Sequence, residues 1–385
     1  GQALCDGLTP SSQIEDVRRM QQETEEAHSL LAYLGGTPMI PFTDVRTALH
    51  LAQIGSSLSP RALMDVGACL RASRAAREAI VTDKTDTPLM SANASRLATF
   101  KTIEQAISDA IISEDEIADR ASNELFQIRR KMRACNERVR ERLNGMIHNP
   151  NFQKYLQDAI ITMRADRYVL PVRQEYRSMV PGIVHDQSST GATVFIEPMS
   201  VVEIGNELKQ LISAEKAEIE RILRMLSAQI APEADAIADN LAILAQLDFA
   251  FAKASLARQM NVCMPKINDE GRVNIVRGRH PLIDPQKVVP LDIRLGTDFT
   301  TLIITGPNTG GKTVTLKTTG LFTLMAQSGL QVPADYGTEL AVFDDVFADI
   351  GDEQSIEQSL STFSGHMTNI VSILQEVTPD SLVLF

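Results

Sequence analysis

Two stretches of the chain repeat apolar residues every three or four positions, which aligns them along one side of an α-helix. The first lies within residues 119–150 and the second begins near residue 201. The repeats are Leu125, Ile128, Met132, Cys135, Val139, Leu143 and Met146, then Ile204, Leu208, Leu211, Glu215, Ile219, Ile222, Leu226 and Ile230. Each helix would be about 40 Å long at 1.5 Å per residue. The pattern predicts an antiparallel coiled-coil pair of long lever arms; two ordinary core helices are the alternative.

Short β-rich runs lie between the two helices, in residues 151–200. β-Branched and aromatic residues alternate there with glycine and proline, which is typical of short strands. We expect a small β-rich clamp at the tip of the arms. Four arginines in it, Arg164, Arg167, Arg173 and Arg177, are candidate contacts to a nucleic-acid backbone. Solvated strand faces are the alternative explanation.

The remaining segments predict a helical core and an α/β domain. Residues 1–118 are predicted to be the helical core, with short helices over 10–80, a loop over 81–98 and a helix over 100–110. Residues 201–261 form the second lever helix and return to the core, and residues 262–385 form the N-terminal part of an α/β domain. The predicted fold class is therefore mixed and mostly helical.

The α/β domain contains the phosphate-binding pattern G-x-x-x-x-G-K-[ST]. It follows Thr301–Thr305, a short apolar run predicted to be a buried strand. The pattern comprises Gly306, Pro307, Asn308, Thr309, Gly310, Gly311, Lys312 and Thr313. Backbone N–H groups of such a loop and the following helix dipole attract a phosphate. Lys312 would contact the β- and γ-phosphates, and the Thr313 hydroxyl would bind Mg²⁺. A glycine-rich turn without a ligand is the alternative.

Three features after this loop also suit nucleotide chemistry. Acidic residues 344–352 adjoin a strand pattern, and Gln354 follows at a turn, where it could position Mg²⁺ or water. Hydroxyl residues around Ser361 open a helix and could face an anion, although an ordinary helix cap uses the same groups. Residues 381–385 predict a further strand. His280, which precedes a proline, lies in a segment that could border the base.

Composition and charge argue against a membrane-spanning protein, a disulfide-rich protein and a protein that coats nucleic acid. The chain of 385 residues is 44% hydrophobic and 22% charged, and it shows no apolar run of membrane-spanning length. Four dispersed cysteines predict no disulfide framework, so we expect a cytoplasmic protein. The net charge of −12 argues against a protein that simply coats nucleic acid. Residues 129–142 are nevertheless locally basic, with seven Lys or Arg side chains against two glutamates.

Several strings together resemble the MutS family of DNA-repair ATPases. GPNTGGKT, DIGDEQS and STFSGHM occur in order, and RADRYVLPV and DQSSTGATVFIEP look like its second bacterial branch, the endonuclease MutS type-two proteins. The resemblance implies ABC-type nucleotide domains that bind ATP and dimerise. It implies that residues 306–313 bind the phosphates and that Gln354 is the Q-loop residue. Ser361 would touch the γ-phosphate held by the opposite subunit, and His280, Val288 and Val289 would border adenine.

The resemblance also implies partners and limits. No Phe-x-Glu wedge for reading mismatches precedes residue 10, so the implied DNA is branched, with suppression of homologous recombination. Full-length relatives of this branch end in a Smr nuclease domain, and repair members carry a glutamate where this sequence has His366. The chain ends before a second acidic motif, so we expect ATP binding with poor hydrolysis. The rival hypotheses are a factor that splits stalled ribosomes, a structural ABC-type coiled-coil protein and a small-molecule kinase.

Overall fold

The computed structural model describes residues 2–306, 311–350 and 359–385, with side chains of the last range described from residue 366. The α-helices in these ranges are α1 (Gln2–Asp6), α2 (Ile14–Leu34), α3 (Arg46–Gln53), α4 (Pro60–Ile80), α5 (Pro88–Ser95), α6 (Lys101–Ala110), α7 (Asn123–Ile147), α8 (Pro150–Gln153), α9 (Met199–Ile230), α10 (Ala234–Met260), α11 (Lys312–Gln327) and α12 (Ser359–Glu376).

The strands of the same ranges form four small sheets. The strands are β1 (Ile111–Ser113), β2 (Glu116–Ile117), β3 (Thr162–Arg164), β4 (Arg167–Arg173), β5 (Gly182–Gln187), β6 (Thr193–Pro198), β7 (Lys266–Asn268), β8 (Val273–Gly278), β9 (Leu291–Leu295), β10 (Glu339–Ala341), β11 (Asp345–Ala348) and β12 (Ser381–Leu384). Their orders are β1-β2, β3-β4-β6-β5, β7-β10-β8-β9 and β11-β12. The predicted mixed helix-and-sheet class is confirmed.

The chain forms two compact units. Unit 1 comprises Gly1–Pro41, Ala72–Thr99 and Asp239–Phe385, and unit 2 comprises Phe42–Arg71 and Phe100–Ala238. The first 41 residues therefore group with the α/β segment rather than with Phe42–Arg71, which follow them directly. The five segments predicted from the sequence stay a prediction.

Helices α7 and α9 of unit 2 pack antiparallel, as the apolar repeats predict. Arg129 near the start of α7 bonds to Glu215 of α9, and Arg138 further along α7 bonds to Glu207, which lies earlier in α9. The two helices therefore run in opposite directions. Ser122 caps α7 by accepting from the Leu125 amide at 3.0 Å. The buried side of α7 consists of Leu125, Ile128, Cys135, Val139, Leu143 and Ile147.

The sheet β3-β4-β6-β5 is the β-rich element predicted between these helices. All its strand pairs are antiparallel, and alternate residues of β4 and β6 point to one face. Leu170, Val172, Val194 and Ile196 on that face are at most 2% exposed. They share one apolar cluster with Val139 and Leu143 of α7 and with Ile204 and Leu208 of α9. The helices and the sheet of unit 2 thus bury one core.

Unit 1 has its core between α11, the two sheets of the α/β segment and α2. Phe322 of α11 is fully buried and clusters with Ile275 of β8, Leu340 of β10 and Leu382 of β12. Strands β11 and β12 are parallel, with Ala348 opposite Leu384. A Cβ atom on Gly320 of α11 would lie 2.7 Å from Leu384 Cδ1, so glycine at this position allows the close approach of α11 to β12.

Two predictions for the first hundred residues are wrong. Residues 10–80 contain α2 and α4, each 21 residues long, rather than only short helices. The predicted loop over residues 81–98 contains α5, which starts at Pro88, where proline fits the first helical position. Its Met90 amide donates to the buried carboxylate of Glu26 at 2.9 Å. Because that cap comes from a residue 64 positions away, local sequence could not indicate it.

Candidate functional site

The phosphate-binding pattern is placed at the start of α11. Gly306 has φ +147° and Gly311 has φ +80°, and both values lie in the region that favours glycine. Gly311 precedes α11 directly as its cap residue, so Lys312 and Thr313 open the helix. Thr313 is exposed and Lys312 is half-buried. The first N–H groups of a helix have no acceptor within the helix, which makes its start a natural place for an anion.

Several predicted site residues lie outside the described part of the chain. Pro307, Asn308, Thr309 and Gly310 of the loop belong to this group, and so does Gln354. Ser361 lies in the first turn of α12, and its side chain is outside the description. Their predicted roles in binding phosphate, Mg²⁺ or a partner's nucleotide therefore stay predictions.

The run before the loop is not the buried strand that was predicted. Residues 301–305 have no strand structure, and Ile303 is 80% exposed. An apolar run becomes a buried strand only when neighbouring strands take up its backbone groups and cover its side chains. Among the described residues, β11 pairs only with β12, and no strand lies beside 301–305.

Threonine hydroxyls let the buried side of α11 contain polar residues. Thr318 donates to Val314 O at 2.7 Å and Thr323 donates to Thr319 O at 3.0 Å. Because each hydroxyl is satisfied inside the helix, Thr318 and Thr323 can be fully buried without an unpaired group. Helix α11 is therefore fixed in the core behind its exposed first turn.

The predicted base-binding residues lie in the segment between β8 and β9. His280 is half-buried, and burial followed by the nearby Lys317 ammonium of α11 lowers the pKa of its imidazole. Val288 is half-buried, whereas Val289 is 79% exposed. The amide of Val288 donates to Asp284 O at 2.9 Å, so a local turn holds this end of the segment.

A polar cluster that the sequence did not predict lies where β11 ends. The Asp349 carboxylate is 2.9 Å from His366 Nδ1 and accepts from Asn369 Nδ2 at 3.0 Å. The hydrogen bonds from Asn369 and His366 hold the pKa of Asp349 below its usual value, and burial opposes them. The pattern of acid near a strand was visible in the sequence, but its partners on α12 were not.

A second set of contacts missed from the sequence joins α2 to the far end of α11. Gln21 donates to Ala326 O and Leu330 O, each at 2.9 Å. Thr24 donates to Gly329 O at 2.7 Å. A Cβ atom on Gly329 would lie 2.5 Å from Met20 Cβ, so α2 approaches the backbone itself. These residues give no motif, because any polar side chain on a helix could have faced solvent.

The four clamp arginines are placed differently from one another. Arg167 is 15% exposed at its side chain, with Nη1 3.2 Å from Glu197 and Nη2 donating to Asn206 at 2.7 Å. These N–H donors of Arg167 already bond to side chains within unit 2, which does not favour a contact between Arg167 and a phosphate. Arg164 stacks on Phe195 at 4.3 Å and pairs with Asp186 at 3.1 Å.

The other two clamp arginines are exposed. Arg173 ends β4 and Arg177 lies in the 3₁₀ turn that follows it. Within the described residues neither side chain makes a hydrogen bond or an ion pair. The basic helix segment 129–142 is partly neutralised, because Arg129, Arg133 and Arg138 pair with carboxylates. Arg130, Lys131, Arg140 and Arg142 of α7 are exposed as well, so unit 2 carries exposed cationic groups both on α7 and around its sheet.

Comparison with known proteins places the chain in a family. A model of MutS domain V matches residues 302–385. Across 98% of its length the chain is 53% identical to endonuclease MutS2 of Alkaliphilus oremlandii. The chain belongs to the MutS family. It is also 52% identical to endonuclease MutS2 of Clostridioides difficile and 51% identical to that of Geobacillus sp. strain WCH70, over 100% of its length in both cases.

The relatives are longer than this chain. It spans about half the length of the curated relatives it matches, 48% of the Alkaliphilus oremlandii protein and 49% of the Clostridioides difficile protein. The match to domain V covers α11, α12 and the strands β10 to β12. In the described residues no helix has the length and apolar character needed to cross a membrane.

Proposed function

We propose that the protein is an ATP-binding clamp of the MutS type that acts on DNA. The observation that supports it most is the start of α11, where Gly306 and Gly311 adopt glycine-favoured conformations and Lys312 and Thr313 follow. Glycine is useful at both positions because the backbone must turn its N–H groups towards one point. A bound triphosphate would neutralise Lys312, and the exposed Thr313 hydroxyl would take one ligand position of Mg²⁺.

The remainder of the proposed nucleotide site comes from other segments of the domain. His280, Val288 and Val289 would border adenine, and Gln354 would contact Mg²⁺ or water. Ser361 would complete the site of a second copy, which makes a homodimer part of the proposal. A site shared by two copies gains binding energy only when the copies are in contact. Nucleotide binding would therefore favour the conformation in which they are.

The proposed role of unit 2 is to carry a nucleic-acid contact on a stiff support. The antiparallel α7–α9 pair shares a core with the sheet on which Arg164 and Arg173 lie, and Arg177 is in the turn that follows β4. Exposed guanidinium groups bind phosphates without reading sequence, which suits a partner recognised by its shape. The proposed partner is branched DNA. We also propose that the protein acts in the cytoplasm and suppresses homologous recombination. Nuclease activity is proposed only for the longer relatives, which are named endonucleases.

Loss of Lys312 tests the nucleotide site. Lys312→Ala should weaken binding of a fluorescent ATP analogue by at least about tenfold, because it removes a charge-assisted contact to phosphate oxygens. Lys84→Ala removes an exposed lysine of the segment before α5 that forms no ion pair among the described residues; it is the control and should change affinity by less than about threefold. Equal affinities for Lys312→Ala and the unmodified protein would refute the site.

A binding comparison tests the partner. A four-way DNA junction and purified ribosomes are titrated with the protein at several salt concentrations. The proposal predicts tighter binding to the junction, with an affinity that falls as salt rises. Replacing Arg173 and Arg177 together by alanine should weaken junction binding and reduce its salt dependence. Preferential, variant-sensitive binding to ribosomes would favour the alternative function, in which the protein splits stalled ribosomes.

A further inference from the structure

The end of β11 carries a polar connection to helix α12. One carboxylate, that of Asp349, receives two side chains from α12: His366 Nδ1 at 2.9 Å and Asn369 Nδ2 at 3.0 Å. His366 and Asn369 are three residues apart and therefore lie on the same face of the helix. Ile373, one further turn along that face, is 5% exposed. Among the described residues of α12, His366 and Asn369 bond to Asp349, and the buried Ile373 shares their face of the helix.

Asp349 is itself held by the two-stranded sheet. Its amide donates to Leu384 O at 2.8 Å, which extends the parallel ladder of β11 and β12 by one residue. Leu384 in turn lies against Gly320 of α11 and belongs to the core of unit 1. A continuous set of contacts therefore runs from α12 through Asp349 and β12 to α11, the helix that begins with Lys312.

The charge of the Asp349 carboxylate favours the arrangement in which α12 stays beside the end of β11. The side chain of Asp349 is 12% exposed, and hydrogen bonds to its charged form lower its pKa. At neutral pH it is therefore a carboxylate with two donors. A charged acceptor that is largely removed from water is costly to leave without partners. Movement of α12 away from β11 would break both hydrogen bonds together, so the cluster opposes such movement.

We propose that His366 is a positioning residue of the nucleotide site, which through Asp349 sets the place of α12 relative to α11. Ser361 lies five residues before His366 on α12, a separation of about 7.5 Å along the helix axis. This inference rests on the proposed ATP site and adds to it: His366 does not touch nucleotide, and its loss uncouples α12 from nucleotide bound at α11.

Two measurements on the full chain test the inference. One is the affinity for a fluorescent ATP analogue. The other is the slowing of amide hydrogen exchange in α12 when a non-hydrolysable ATP analogue binds. His366→Ala should keep the affinity within about threefold of the unmodified protein but reduce the slowing of exchange about tenfold, because one charge-assisted hydrogen bond is lost. His366→Asn, whose amide can donate near the position of Nδ1, should restore most of it.

Matched variants separate positioning from simple damage to the fold. Leu374→Ala alters a 64% exposed side chain on the same helix and should behave as the unmodified protein. Asp349→Asn keeps the shape of the acceptor and should resemble His366→Ala. Circular dichroism confirms folding of each variant, and His366→Asn and Asp349→Asn carry the test if His366→Ala does not fold.

The outcomes distinguish this inference from the function on which it rests. Unchanged affinity in Lys312→Ala would remove the ATP site and the inference with it. If Lys312→Ala loses affinity, the inference alone fails under any of three results: nucleotide does not slow exchange in α12, His366→Ala retains full slowing, or His366→Asn restores nothing.

Discussion

Charged pairs join the long helices of unit 2 beside their apolar core, whereas the polar contacts that join α2 to α11 and the residues after it in unit 1 come from an uncharged amide and a hydroxyl. In unit 2, Glu197 is 3% exposed at its side chain and bonds both to Arg167 and to His185 Nε2, the latter at 2.7 Å. In unit 1, Gln327 donates to Ser11 O and Phe343 O, each at 2.9 Å, and accepts from the Phe343 amide.

The difference shows how two kinds of packing meet different needs. In unit 2 charged side chains of facing helices pair with one another, as Arg129 does with Glu215 and Arg138 with Glu207. In unit 1 side chains of α2 meet backbone carbonyl groups at the end of α11, which accept hydrogen bonds from neutral donors. The stability of unit 2 should therefore depend on charge and pH, and the stability of unit 1 should depend on neutral side chains that form hydrogen bonds.

The largest effect is expected from Glu197→Ala in unit 2. Removal of this carboxylate leaves the part-buried Arg167 guanidinium without its charged partner, which should lower the free energy of unfolding by about 3–5 kcal/mol. Urea unfolding followed by tyrosine fluorescence measures it, because Tyr155, Tyr168 and Tyr176 lie in unit 2 and the chain has no tryptophan.

Asp186→Ala is the control for Glu197→Ala. It removes an exposed ion pair with Arg164, whose side chains are 40% and 48% exposed, and should cost less than about 1 kcal/mol. Equal losses for the two variants would mean that burial does not govern the charged contacts of unit 2.

A smaller effect is expected from Gln327→Ala in unit 1. The change leaves the buried N–H and C=O of Phe343 without partners, and it should destabilise unit 1 by about 2–4 kcal/mol. Urea unfolding followed by hydrogen exchange in α11 measures the loss. Gln259→Ala removes an exposed glutamine of α10 that makes no side-chain hydrogen bond among the described residues, and it should cost no more than about 0.5 kcal/mol. A loss for Gln327→Ala as small as this control would contradict the role given to neutral hydrogen bonds.

The smallest effect is a pH dependence of unit 2. A hydrogen bond from Arg129 lowers the pKa of Asp119 below its ordinary value of 3.8, burial opposes the shift, and Arg133 adds to it. A lowered pKa stabilises the folded state above the ordinary value, and this contribution is lost as pH falls from 3.8 towards the folded pKa. Urea midpoints measured between about pH 3 and 6 should fall less steeply at the acid end in Asp119→Asn.

The control for the pH experiment is Asp115→Asn. Asp115 is exposed, and among the described residues it forms no ion pair, so its variant should follow the unmodified protein at each pH. Identical pH curves for Asp119→Asn and the unmodified protein would show that the Arg129 contact contributes nothing measurable.

Much of the fold could be predicted from short-range pattern. The three-and-four spacing from Leu125 to Met146 predicted α7, and the residues it placed inward include the fully buried Leu125 and Leu143. β-Rich runs between glycines predicted the sheet of unit 2. Failures occurred where a distant partner decides the structure: α5 depends on Glu26, and residues 301–305 lack the neighbouring strand that a buried strand needs.

The candidate site divides in the same way. The phosphate-binding pattern and the glycines at 306 and 311 follow from the sequence, because backbone conformations with positive φ restrict the residue type. The Asp349–His366 contact joins residues 17 positions apart and depends on where β11 ends relative to α12. No local pattern contains that information.

The sequence by itself determined the paired helices α7 and α9, where the glycine-rich loop lies and which family the motifs resemble, because periodicity and backbone restriction act over a few residues. Tertiary structure alone decided which charges are used internally, as with Arg167, and which polar groups join distant segments, as with Gln21 and Asp349. The physical reason is that a side chain's partner is set by burial and approach in three dimensions, and a polar group removed from water must find that partner wherever the chain places it.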